Sequence, residues 1–185
     1  MFQLSLVDHI RLSFGSVATS YRAHARAAER LSSRAWQSKV VVMVLLALAT
    51  GAALVALTGV RQFQIAAAAL SATAVLALAI ANSLGFEARA YAHRACAAQL
   101  WLLSEKYRAL LAEVHDGLVE LADVTRRRDQ LMHEVQVVYE HALPADREAY
   151  QIAREALGSG DSAPSDQDID KLLPASLRHS EKAAT

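Results

Sequence analysis

Histidine and cysteine are the residues in this sequence best suited to metal binding or acid–base chemistry, but their spacing fits neither. His133 and Glu134 are followed by Val-Gln-Val, so the second histidine of the zinc metalloprotease pattern is missing. His133 and His141 lie eight residues apart, too far along a helix to share a metal ion without further ligands. His93 precedes Cys96 by three residues, with no evident third ligand. We therefore expect no metal, no cofactor, and histidines that belong to helix surface or core.

Other catalytic signatures are also missing from the sequence. A glycine-rich phosphate loop is not expected because the glycines Gly15, Gly51, Gly59, Gly85 and Gly117 are isolated. Cys96 is the single cysteine, which excludes an intrachain disulfide and a cysteine-rich metal site. Lys+Arg and Asp+Glu both number 19, so overall charge gives no reason to expect a nucleic-acid partner. These observations predict that the protein is not an enzyme.

A stripe of polar residues in a long apolar stretch carries a different kind of chemistry. Gln64, Ser71 and Asn82 differ by seven and eleven residues, about two and three turns of helix, so they share one face. Polar groups are costly in lipid, and such a stripe should face protein or water. Hydrogen bonding between helices and the lining of a pore are both open interpretations. Thr50 and Thr73 are further candidates for the same role.

Two charge-free runs must position this stripe. Val40 to Val60 and Gln62 to Phe86 contain no charged residue, and Arg61 alone separates them. Each run reaches the ~20 apolar residues that cross a bilayer, and only a helix satisfies its own backbone there. The sequence predicts an all-α membrane protein with a two-span hairpin: spans at 40–60 and 63–86, joined by a turn at 61–62. The alternative, a hairpin buried in a globular core, is disfavoured because the rest of the chain is short and strongly charged.

Basic residues near the ends of the runs predict the orientation. Arg89 and Arg94 follow the second run, whereas the tip has only Arg61. The residues before the first run are Arg22, Arg26, Arg30, Arg34 and Lys39. The positive-inside rule then places both termini in the cytoplasm, and with 39 residues before the first run we expect no secretory signal. The arginine ladder is either a solvated face that enforces topology or a surface for anionic lipid headgroups.

The flanking segments are expected to be helical. Residues 1–39 show the apolar stripe of an amphipathic cytoplasmic helix, and residues 87–157 form a cytoplasmic helical region with a break near His115-Asp116-Gly117. A heptad-like seam should pack against the N-terminal helix or a neighbouring subunit; its members are Leu100, Leu103, Tyr107, Leu110, Val114, Leu118 and Leu121. Pro144 should begin another helix, and residues 158–185 should form a disordered tail. A short helical turn around Ile169 to Leu173 could dock on a partner.

A few scattered positions add to this arrangement: Trp101, the run Glu105-Lys106-Tyr107-Arg108-Ala109-Leu110-Leu111, and the segments Val138 to Pro144 and Tyr150 to Ala153. Together they resemble the SLATT domain family, the two-span effectors associated with SMODS nucleotidyltransferases and SLOG sensors in bacteria. The resemblance covers roughly Val17 to Leu157. It is carried by architecture and not by a catalytic signature.

The resemblance implies a membrane effector of bacterial conflict systems such as antiphage defence. Such a protein would form a homo-oligomer and open or perturb the inner membrane after a nucleotide signal, causing cell death or arrest. We expect no fused sensor domain, so a separate nucleotide-sensing protein or nucleotidyltransferase would be its partner, with the bilayer as its site of action. The alternative is a membrane-anchored helical scaffold or adaptor without pore activity; a small transporter subunit is less attractive because the spans lack charged residues.

Overall fold

A computed structural model of the chain describes residues 5–57, 59–144 and 166–178, and these residues are helical without any strand. The described residues contain five α-helices and one 3₁₀ turn: α1 Leu6–Ala56, α2 Arg61–Leu84, α3 Phe86–His115, α4 Leu121–His141, α5 Asp166–Leu172, and the 3₁₀ turn Ala175–Leu177. The all-α prediction is confirmed. The chain divides into a hairpin unit, residues 28–91, and a helical core unit, residues 1–27 and 92–185.

Helix α1 combines two segments that were predicted as separate elements. The predicted amphipathic helix at 1–39 and first span at 40–60 form one helix. Its start is capped by Ser5, whose Oγ accepts the Asp8 backbone N–H at 3.1 Å and donates to the Asp8 carboxylate at 2.6 Å. Its end at Ala56 precedes Gly59, whose φ of 82° lies in the left-handed region that glycine tolerates. Helix α2 already begins at Arg61, so residues 61–62, predicted as the turn, belong to that helix.

A second left-handed glycine ends α2. Gly85 has φ 57° and ψ 31°, and its backbone N–H donates to the carbonyl of Asn82. Helix α3 begins at the next residue, Phe86. The second span consequently ends at Leu84, two residues before the predicted boundary, and a single residue joins α2 to α3.

The predicted break near Gly117 is confirmed. Gly117 has φ 68°, and its N–H donates to the Val114 carbonyl while the Leu118 N–H donates to the Glu113 carbonyl. This pair of bonds is the Schellman arrangement that ends a helix at a glycine. Helix α4 begins only at Leu121, so the predicted seam from Leu100 to Leu121 does not follow one helix.

The helical core unit is built around one apolar cluster. Helices α1, α3, α4 and the C-terminal segment all contribute: Ile10, Phe14, Val17, Cys96, Leu100, Leu103, Tyr107, Leu110, Leu111, Val124, Leu131, Ile169 and Leu173 are buried in it. Apolar side chains recur along α1 and α3 at steps of three and four residues, so each helix turns one stripe toward the cluster. Burial of this cluster is the main source of stability for the unit.

The C-terminal segment corrects the prediction of a disordered tail from 158 to 185. Residues 166–178 are ordered, and Ile169 and Leu173 are 0% and 2% exposed in the core cluster. The apolar group expected to dock on a partner docks instead on its own chain, because its apolar side chains gain more by burial than the short helix loses in ordering. The helix predicted after Pro144, and the rest of the tail, lie outside the described residues.

Candidate functional site

The hairpin unit is held together by a seam of small and aliphatic residues. On α1 the covered positions are spaced by three and four residues: Leu31, Ala35, Ser38, Val42, Leu45, Ala49, Ala52 and Ala56. On α2 they are Ala67, Leu70, Ala74, Ala77 and Ala81. Ala74 is 0% exposed. Small side chains let two membrane helices approach closely, and van der Waals contact then replaces the hydrophobic drive that lipid removes.

The predicted polar stripe lies outside this seam. Gln64, Ser71 and Asn82 are all exposed, and at about 100° per residue they stand roughly a quarter turn away from the covered face of α2. Gln64 and Ser71 therefore lie outside the space between the two helices of the hairpin, whereas Asn82 lines a groove together with residues of α1. Hydrogen bonding between helices and the lining of a pore both stay predictions.

Thr50 and Thr73 differ from the other polar candidates. Each hydroxyl donates to the carbonyl four residues earlier on its own helix, Leu46 and Ala69 respectively, at 2.8 Å. A threonine bonded in this way presents its methyl group outward and needs no further polar partner. These two residues can face lipid without cost, so they give no reason to expect water beside them.

The basic residues of α1 fall into two groups by exposure. Arg26, Arg34 and Lys39 are exposed, whereas Arg22 and Arg30 are half-buried. Lys39 also forms an ion pair across the hairpin, from its Nζ to Glu87 Oε1. Their assignment to lipid headgroups stays a prediction, and the exposed members of the ladder have the accessibility that it requires.

The predicted oligomer seam is mostly occupied inside the chain. Leu100, Leu103, Tyr107 and Leu110 are 0–4% exposed in the core cluster, which is the packing against the N-terminal helix that the sequence allowed. Val114 is half-buried against the same cluster, whereas Leu118 and Leu121 are 74% and 73% exposed. A seam between subunits through the four buried residues would require them to leave this core.

A buried ion pair that sequence reasoning missed fastens the C-terminal segment to α1. Arg11 Nη2 donates to Asp170 Oδ1 at 2.5 Å, and Arg11 Nη1 donates to the Leu177 carbonyl at 2.6 Å. The two charged side chains are 3% and 9% exposed. The partners lie 159 residues apart in the sequence, and no local pattern relates them.

A buried histidine pair was also missed. His24 Nδ1 and His93 Nδ1 lie 3.0 Å apart, within hydrogen-bond distance, and both residues are buried. One ring must donate while the other accepts, which requires at least one neutral imidazole. Burial, and secondly the neighbouring His93, lower the pKa of His24 below its ordinary value of 6.5. The interpretation of the histidines as surface or core holds for these two, which belong to the interior.

The low pKa of His24 predicts that acid destabilises the helical core unit. Because the folded state resists protonation more than the unfolded state does, stability is complete above about pH 6.5 and falls as pH decreases below it. We expect the urea midpoint to fall between about pH 7.5 and about pH 5, and His24→Gln to flatten this dependence. Chemical unfolding of both proteins at several pH values measures the difference. Identical pH profiles would remove His24 as the cause.

The remaining shifted groups are buried core residues. Burial raises the pKa of Tyr107 to about 12 and raises that of the Cys96 thiol above its ordinary value. A thiol is nucleophilic as thiolate, so Cys96 is poorly suited to covalent chemistry at neutral pH. Within the described residues no three His, Cys, Asp or Glu side chains come together as a metal site.

The apolar stretches of the hairpin are long and exposed enough to span a membrane. Helix α1 contains one stretch of that length and composition, and the segment formed by α2 and α3 contains the other. Only 11% of each stretch is buried. A core helix of a soluble domain would be covered, whereas apolar side chains such as Met43, Leu54, Ile65 and Val75 are more than half exposed. Surrounding lipid would remove the free-energy cost of exposing these apolar side chains to water.

No curated protein and no solved structure gives a significant match to this chain. A family model does match, over residues 6–168, and its description is "SMODS and SLOG-associating 2TM effector domain family 4". The two spans in that description agree with the two exposed apolar helices of the hairpin unit. The chain is therefore a membrane protein and belongs to family 4 of the SMODS and SLOG-associating two-transmembrane (SLATT) effector domains.

Proposed function

We propose that this effector lies in the bacterial inner membrane with both termini in the cytoplasm, and that copies of it assemble to open or perturb the bilayer. Activation comes from a separate nucleotide-sensing protein or nucleotidyltransferase, and the outcome is death or arrest of the infected cell. The observation that carries the proposal is the exposed position of Gln64, Ser71 and Asn82, about a quarter turn from the covered face of α2. Membership of an effector family supports it.

The number of spans in one hairpin implies that several copies must assemble to form a path. The hairpin unit has two spans, and two helices cannot enclose an aqueous path. A path therefore needs several hairpins. Small residues such as Ala49, Ala67 and Ala74 are buried in the seam between α1 and α2, so the surface left for a path or for another copy is the outer face of the helices.

The polar stripe supplies the driving force for that assembly. Gln64 and Asn82 carry carboxamides, each with two N–H donors and one carbonyl acceptor, which cannot all be satisfied by their own helix. Facing lipid, these groups lose hydrogen bonds to water. Turning the stripe toward water or toward a neighbouring stripe restores them, which favours the assembled state.

Leakage from vesicles tests the stripe. We expect Asn82→Leu and Ser71→Leu to lower dye release from vesicles containing the protein several-fold, because leucine removes polar groups from the path. Thr73→Val is the matched control. The Thr73 hydroxyl is already bonded to the Ala69 carbonyl, so this substitution should leave dye release unchanged. Release that is the same in wild type and both leucine variants would contradict the assignment of the stripe to the path.

A helical scaffold is the second candidate, and the separate core unit favours it. That unit buries its own apolar cluster without using the hairpin, so it could act as a platform with the hairpin as its anchor. Replacing residues 40–86 by an unrelated two-span hairpin distinguishes the two functions. A scaffold retains its cellular activity after the replacement, whereas a pore loses it.

A further inference from the structure

A groove of about 570 Å³ opens in the hairpin unit at the end opposite the turn, between α1 and the junction of α2 with α3. We call it the rim groove. Its volume lies within the range of ~300–1,000 Å³ typical of small-molecule sites. It lies entirely within residues 35–87, so it belongs to the hairpin alone.

Small residues create this groove. Ala35, Ala81 and Gly85 line it, and at these three positions no bulky side chain fills the space between the helices. The larger side chains at its border are Trp36, Met43, Leu78 and Phe86. Since the surrounding chain lies in lipid, an unfilled groove of this size would cost contact energy that a ligand can recover.

The groove is apolar on one side and polar on the other. Met43, Leu78 and Val42 supply aliphatic surface, while Lys39, Glu87 and Asn82 supply charge and hydrogen-bonding groups. Lys39 and Glu87 are 61% and 67% exposed, and they lie close enough to pair with each other. A ligand that fits must therefore carry a hydrocarbon part and, beside it, a head with both a negative and a positive group.

We propose that the rim groove binds one phospholipid with a phosphoethanolamine head. The phosphate lies against the Lys39 ammonium, the primary ammonium of the head lies against the Glu87 carboxylate, and one acyl chain covers Met43 and Leu78. The bound lipid thereby extends the seam of the hairpin at the place where its own side chains leave space.

The ion pair between Lys39 and Glu87 does not oppose this arrangement. An exposed pair of this kind contributes little to stability because water and salt screen it. Inserting the head between the two residues replaces one weak pair with two charge-assisted bonds of better-defined geometry. The same side chains also select the head: choline has no N–H to donate to Glu87, and glycerol offers Glu87 no positive charge.

Lipid binding to the full chain in detergent micelles tests the proposal, with native mass spectrometry as the readout. Phosphatidylethanolamine, phosphatidylcholine and phosphatidylglycerol with identical acyl chains are compared on the wild-type protein. We expect one phosphatidylethanolamine per chain to bind about tenfold more tightly than either of the others, the change that one charge-assisted hydrogen bond produces. This comparison needs no variant, and it does not depend on pore activity.

Variants then assign the site. We expect Glu87→Gln to remove the preference for ethanolamine over choline, and Lys39→Ala to weaken binding of both phospholipids about tenfold. Arg34→Ala is the matched control, because Arg34 is an exposed basic residue of the same helix that does not line the groove. Equal binding of the three phospholipids by the wild type would overturn the proposal. A preference that survives unchanged in Glu87→Gln and Lys39→Ala would overturn it too.

Discussion

Replacing Arg11 by alanine is expected to unfold the C-terminal segment and to destabilise the helical core unit by about 3–5 kcal/mol, the usual cost of removing one partner of a buried ion pair. The variant leaves the Asp170 carboxylate, 9% exposed, without its guanidinium. It also deprives the Leu177 carbonyl of its donor. Unfolding by urea, followed by Trp101 fluorescence in a Trp36→Phe background, measures the loss in the unit to which Trp101 belongs.

Two further variants separate the buried charge from simple loss of packing. Arg11→Met with Asp170→Leu removes both charges while keeping apolar volume, and we expect it to recover most of the lost stability. Gln167→Ala serves as the exposed control, because Gln167 is an exposed residue of the same helix. A stability of Arg11→Ala equal to that of wild type would show that the segment is not fastened by this pair.

Ala74→Leu is expected to have the largest effect within the hairpin. Ala74 is 0% exposed on the covered face of α2, and leucine would push the two helices apart. Overpacking of this kind costs about 1–3 kcal/mol, and it also removes the close contact on which membrane helices depend. Thermal unfolding in detergent, followed by Trp36 fluorescence in a Trp101→Phe background, reports on the hairpin unit.

Ala72→Leu is the matched control for this change. Ala72 lies two residues away on the exposed face of the same helix, so the same added volume meets lipid or detergent. We expect its unfolding temperature to equal that of the parent protein. Equal destabilisation by both substitutions would mean that helix propensity or insertion, and not seam packing, explains the effect.

Much of the fold could be predicted from sequence because its strongest signals are local. The charge-free runs on either side of Arg61 predict a hairpin, and the stretch His115-Asp116-Gly117 predicts the break that the left-handed Gly117 makes. Boundaries were less accurate: residues 61–62, predicted as the turn, begin α2, and the residue with left-handed backbone before that helix is Gly59. The sequence also did not predict that α1 is one continuous helix. Its composition changes from charged to apolar near residue 40, but such a change does not by itself end a helix.

The candidate site was harder to predict because it depends on which side of a helix is covered. Periodicity places Gln64, Ser71 and Asn82 on one face, but only the structure shows that this face points away from the seam. The link between Arg11 and Asp170, and the histidine pair, join residues 159 and 69 positions apart. Contacts at such separations leave no trace in local spacing, and a single sequence does not reveal them.

The buried thiol of Cys96 has a practical consequence. It is the single sulfhydryl of the chain, and it belongs to the core cluster of the helical core unit. Burial and the raised pKa both slow its reaction with alkylating reagents, so labelling must await a transient opening of that unit. The rate of Cys96 alkylation in the native protein therefore reports how often the unit opens, before and after an activating signal arrives.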